Sequence, residues 1–112
     1  MERFRRIAPS EVYISTISVA ELEYGVYKSN QIEKNKNALE EFLSFLNVIQ
    51  FNTASAQEYG RIRYILEKAG TPIGPLDTLI AAHALNQDYI LVTNNEKEFK
   101  RVEGLKVENW MS

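Results

Sequence analysis

The chain has 112 residues, 13 basic and 15 acidic side chains and a formal net charge of −2. This excludes a strongly basic nucleic-acid coat, although not a local basic groove. With 45% hydrophobic and 25% charged residues the composition is that of a soluble globular domain rather than a disordered chain, and the length suits one domain over residues 1–112. Cysteine is absent, which removes disulfides, zinc-thiolate sites and thiol catalysis and agrees with a reducing compartment. The longest apolar stretch, Leu79 to Ala82, is far short of the roughly 20 residues that span a bilayer, and no apolar core follows the basic residues Arg3, Arg5 and Arg6. A cytoplasmic protein with no membrane partner is expected.

Val12-Tyr13-Ile14 is a β-branched and aromatic run and predicts a strand. Ser18 then opens a predicted helix through Tyr27, with Val19, Leu22 and Val26 at helical spacing. Gly25 inside it implies close packing of another element against its backbone. A second, amphipathic helix starts near Asn30 and carries Leu39, Phe42, Leu43 and Leu46 on one stripe. Val48 to Phe51 reads as a strand. Thr53 caps a third helix bearing Tyr59, Ile62, Ile65 and Leu66, which Gly70 ends.

After the rigid Thr71-Pro72-Ile73-Gly74 loop, Pro75 falls at the first position of a helix running to about Asn86. That helix is apolar nearly all round and should be buried. Tyr89 to Val92 is an uninterrupted apolar run, the pattern of a strand covered on both faces. A short helix from Asn95 to about Phe99 and a strand near Lys106-Val107 follow. Strands alternating with helices imply a central parallel sheet flanked by helices, an α/β fold in three layers.

In such sheets ligands bind beyond the carboxyl ends of the strands. Ser18 to Glu21, Gly74 to Asp77 and Asn94 to Glu98 carry carboxylates and amides toward that edge. Oxygen donors without cysteine or a histidine cluster suit a hard cation such as Mg²⁺ or Mn²⁺, which activates water and neutralises phosphodiester charge. Simpler readings stand beside this one. Glu21 lies three residues after Ser18 and Glu98 three after Asn95, so both match a capping box. Asp77 falls in a first helical turn, where negative charge gains about 0.3–1 kcal/mol from the macrodipole. It is the sharper signal, being a lone carboxylate on an otherwise apolar helix. His83, the single histidine, reads as a core residue. Arg61 and Arg63 near Tyr59 and Tyr64 read as a solvated helix face or as a surface for single-stranded RNA.

Three stretches together resemble a PIN-domain (PilT N-terminal) toxin of the VapC type. They are Ile14 to Leu22 with Gly25, Gly70 to Asp77 with Ile80 to Ala84, and Leu91 to Phe99, closed by Asn109-Trp110. The match runs from about Val12 to the C-terminus with its motifs in order. The resemblance implies a Mg²⁺- or Mn²⁺-dependent endoribonuclease, the toxin of a type II toxin–antitoxin pair, homodimeric and neutralised by a small cognate antitoxin. By motif position Glu21 and Asp77 are catalytic, metal-binding acids. Glu98 is a further acidic metal position, and Asn95 stands where many relatives carry Asp. Family members begin with a strand ending in an Asp-Thr-Asn type motif, whereas Met1 to Glu11 reads as the helix and loop that follow it. The PIN-like fold is therefore expected without that strand and its Asp, with weakened metal binding. The alternative expectation is a catalytically impaired PIN remnant serving as a dimerisation or antitoxin-binding module.

Overall fold

The computed structural model describes residues 13–93 and 95–109. Val12, the segment Met1 to Glu11, Asn94 and Trp110, all used in the sequence reading, lie outside the described residues. The contacts divide the chain into two compact units, residues 2–50 and 51–112.

The first unit begins with β1 (Tyr13–Ser15), which runs straight into α1 (Thr16–Lys28). Ser15 caps that helix: its backbone is extended and its hydroxyl accepts the Ile17 N–H at 3.0 Å. The helix therefore starts one turn before the predicted Ser18, which lies within it. The stretch offers two hydroxyls three residues apart, and the earlier one is used. A second amphipathic helix, α2 (Ile32–Ser44), packs on α1, with Val26 and Leu39 as their buried residues. Lys36 fastens the pair from outside, 3.8 Å from Glu23 and 5.9 Å above the Tyr27 ring. The chain then returns as β2 (Asn47–Ile49), shorter than predicted and parallel to β1, with Tyr13 opposite Asn47 and Ser15 opposite Ile49. Parallel pairing requires such a crossover, here made by two helices.

Among the described residues nothing packs closely on Gly25. A side chain at this exposed position would meet nothing within 4 Å among the described residues.

The second unit is built on α3 (Thr53–Lys68) and α4 (Pro75–Gln87), which pack along each other. Asn52, not Thr53, caps α3, its side chain accepting the Ser55 N–H at 2.8 Å. At the other end Gly70 takes φ +77, and Gly70 N–H and Thr71 N–H reach the carbonyls of Glu67 and Leu66. This is a Schellman closure, which needs a left-handed residue at that position. Gly74 then caps α4 and Pro75 occupies its first position, as predicted. Thr78, Ala81, Ala82, His83 and Ala84 of α4 are buried. Alanines at the contact let the two helix backbones approach closely.

Ile62, Leu66, Ala81 and Ala82 join Phe99 and Val102 in one core. Phe99 comes from α5 (Glu96–Phe99), and its burial contributes roughly 1.5–3 kcal/mol. Flanking α5, β3 (Ile90–Val92) pairs in parallel with β4 (Lys106–Glu108). Leu91 and Val107 pack on the core, but Ile90 and Val92 are 52% and 42% exposed. Coverage of both strand faces, read from the apolar run, is not seen: side chains alternate across a strand, and the core takes only one face. Among the described residues the strands form two separate two-stranded parallel sheets, β1–β2 in the first unit and β3–β4 in the second. The helix-rich α/β class with parallel strands stands. No helix among the described residues is long and apolar enough to cross a membrane.

Candidate functional site

Asp77 is the third residue of α4, in the turn opened by Gly74 and Pro75. Gly74 has no side chain to cap with, so no capping group competes with the carboxylate for the first-turn N–H groups. Thr78 bends back instead, its hydroxyl donating to the Gly74 carbonyl at 2.8 Å. Asp77 is half-buried while its neighbour Thr78 is buried. The helix thus holds the carboxylate at the boundary between core and solvent.

Glu98 and Asn95 are brought together. Asn95 Nδ2 donates to Glu98 Oε2 at 2.7 Å, and the Asn95 backbone N–H goes to Thr93 Oγ1 at 3.0 Å. A capping box would have the Asn95 side chain accept a first-turn N–H and the Glu98 carboxylate return to the Asn95 N–H. Neither bond forms: Asn95 makes no side-chain cap bond, and Thr93 takes its N–H. The amide and carboxylate instead stand side by side as oxygen-bearing groups. Thr93 is the residue that fixes this turn. Its hydroxyl accepts an N–H two residues on, the local side-chain-to-backbone bond that Thr favours in turns.

Glu21 lies on α1, in the first unit, and its side chain is exposed. With Ser15 as the cap, Glu21 is the sixth helical residue rather than the third, so the capping box with Ser18 does not exist. No hydrogen bond or ion pair joins it to another described residue, which leaves its charge without a local structural task.

His83 is 2% exposed and meets the Phe51 ring edge-on at 5.5 Å, a core position as read from sequence. The two arginines on the basic-aromatic face of α3 each pair within the helix, Arg63 through two of its five N–H donors. Arg61 pairs with Glu58 at 2.5 Å, and Arg63 donates to Glu67 Oε2 and to Tyr59 Oη, both at 2.9 Å. The Glu67 bond chiefly, aided by Tyr59, holds the Arg63 guanidinium above its already high ordinary range.

The candidate side chains offer carboxylate and amide oxygens, donors of the kind a hard divalent cation takes. Among the described residues no three His, Asp or Glu side chains gather closely enough to cage an ion.

The sequence pattern of the PIN domain matches residues 1–105. Among curated proteins, a Ribonuclease VapC2 of Rickettsia felis is 48% identical over 99 residues, 88% of this chain and 74% of the relative. A tRNA(fMet)-specific endonuclease VapC of Shigella flexneri is 41% identical over 109 residues, 97% of this chain and 82% of the relative. The solved VapBC2 of Rickettsia felis, bound to a DNA fragment from its promoter, matches with a TM-score of 0.91 at 44% identity, covering 97% of this chain and 83% of that one. VapBC-1 of nontypeable Haemophilus influenzae matches with a TM-score of 0.92 at 35% identity, covering 99% and 84%. Identity at this level over nearly the whole chain is decisive: the protein belongs to the PIN-domain family, on its VapC branch.

Proposed function

We propose that this chain is the ribonuclease toxin of a toxin–antitoxin pair, a divalent-metal-dependent endoribonuclease held in check by a cognate antitoxin. The observation that carries the reading is the 41% identity to a VapC endonuclease across 97% of the chain. Its support within the molecule is that Glu21 and Glu98 are released from the capping roles that would have explained them.

Asp77 and Glu98 are proposed as metal-binding carboxylates, and Asn95 as an amide oxygen donor that brings no charge. Glu21 is assigned a catalytic and metal-binding role on the family motif, so Glu21→Gln should relieve growth arrest as Asp77→Asn does. Mg²⁺ or Mn²⁺, when bound, supplies charge neutralisation at the phosphodiester and lowers the pKa of a bound water. The chain's share is positional. The first turn of α4 sets Asp77 at the core boundary, and Thr93 orients Asn95, which in turn restrains the Glu98 carboxylate. RNA is the substrate, and a second copy of the chain and the antitoxin are the protein partners.

Induced expression in a bacterial host tests this. Growth arrest is expected for the parent chain, and relief on replacing Asp77 by Asn or on co-expressing the antitoxin. Normal growth together with antitoxin capture would favour the binding-module alternative.

A further inference from the structure

A cavity of about 200 Å³ in the second unit is lined by Arg63, Leu66 and Glu67 of α3, by Pro72 and Ile73 of the loop, and by Pro75 and Thr78 of α4. Part of its wall is restrained by backbone chemistry. Two prolines restrict the loop, the Schellman closure at Gly70 sets its entry, and Arg101 Nη1 pins the Pro72 carbonyl at 3.0 Å. The Arg63 guanidinium is held by Tyr59 and Glu67 with only two of its five N–H donors in use. The cavity is smaller than the roughly 300–1,000 Å³ of drug-sized ligand sites. Flat apolar walls beside a planar cation and a carboxylate suit a single heterocyclic base.

We propose that this cavity is a subsite for one unpaired base of the RNA substrate, with Arg63 and Glu67 reading its edge. The proposal rests on the ribonuclease function inferred above. Arg63 offers donors and Glu67 an acceptor, the complement of guanine, which presents its O6 acceptor beside its N1–H donor. Uracil is smaller and fills the cavity less well. Pro75 and Thr78 flank Asp77 in the same first turn of α4, and a helix is only about 10–12 Å across with its side chains. Neighbouring nucleotides can therefore reach the cavity and the Asp77 carboxylate. Occupancy of the cavity would select where along a strand the backbone is presented for cleavage.

The test uses fluorescent single-stranded RNA hexamers, one of uridine only and one with a single guanosine, titrated in EDTA and read by anisotropy. The parent chain is expected to bind the guanosine hexamer about tenfold more tightly. Arg63→Ala, which removes the donors, and Ile73→Trp, which fills the cavity, should each abolish that preference. Arg63→Lys, which keeps charge but loses the planar fork, should abolish it while retaining affinity for the uridine hexamer. Equal affinities in the parent, or a preference that survives Arg63→Ala and Ile73→Trp, would overturn the subsite. Cleavage of RNA by the parent in Mg²⁺ is measured alongside. Intact cleavage with equal affinities removes the subsite alone, whereas absence of cleavage removes the ribonuclease reading and the subsite with it.

Discussion

Replacing Asn95 by Asp tests whether the Asn95–Glu98 pair is a metal-binding arrangement rather than a structural one. The substitution deletes the 2.7 Å hydrogen bond from Nδ2 to Glu98 and sets two carboxylates face to face. A hydrogen bond to a charged group contributes about 1.5–3 kcal/mol, and the exposed position of Asn95 brings this to about 1 kcal/mol. Repulsion between unit charges about 4 Å apart adds about 1 kcal/mol in a medium close to water. Without metal the variant should therefore lose about 2 kcal/mol, or about 8 °C in Tm for a chain of this size. A divalent cation reverses the sign of the change, since the second carboxylate then becomes a ligand. At a concentration of 100 Kd the ion restores about 2.7 kcal/mol. Thermal unfolding followed by circular dichroism, in EDTA and in excess Mg²⁺, reads both effects. A variant as stable as the parent in EDTA would refute the side-by-side geometry. Equal stabilisation of variant and parent by Mg²⁺ would refute the ligand role.

Other substitutions probe the scaffold. Gly25→Ala should stabilise the chain by about 0.5–1 kcal/mol in denaturant unfolding, because α1 gains a helix former where nothing lies within 4 Å. A loss of stability would show that something packs there. Asn52→Ala should cost about 1 kcal/mol through loss of the bond to the Ser55 N–H, while Thr53→Ala leaves the midpoint nearly unchanged. The reverse order would return the cap to Thr53. Leu66→Ala, at 4% exposure, should cost about 2–5 kcal/mol, and Ile65→Ala, at 48%, under about 1 kcal/mol.

The second unit was the more legible in sequence. Gly70, Pro75 and the all-round apolar pattern of α4 each admit few backbone solutions, and the chain adopts them. The first unit was less so. Ser15 and Ser18 are both competent caps, and propensity does not choose between them; the turn from β1 does. That choice decides whether Glu21 is a third-position capping acid or an exposed carboxylate one turn on. Strand burial at Ile90 and Val92 was misread because an apolar run reports what side chains could bury, not how many faces are covered. In the site, acidic residue types and spacings were visible, but the Thr93–Asn95–Glu98 chain of hydrogen bonds depends on rotamers that spacing does not specify. The cavity between Arg63 and the Pro72–Pro75 loop depends on the packing of α3 against α4 and left no motif.

The central claim is that this chain cuts RNA with the help of a divalent ion and the Asp77 carboxylate. Purified chain incubated with single-stranded RNA in Mg²⁺ or Mn²⁺, resolved on a denaturing gel, measures it directly. Internal cleavage is expected that EDTA stops and that Asp77→Asn reduces by at least two orders of magnitude, about 2.7 kcal/mol in the barrier. Cleavage undiminished by EDTA or by Asp77→Asn, or no cleavage by a folded chain in either metal, would contradict it.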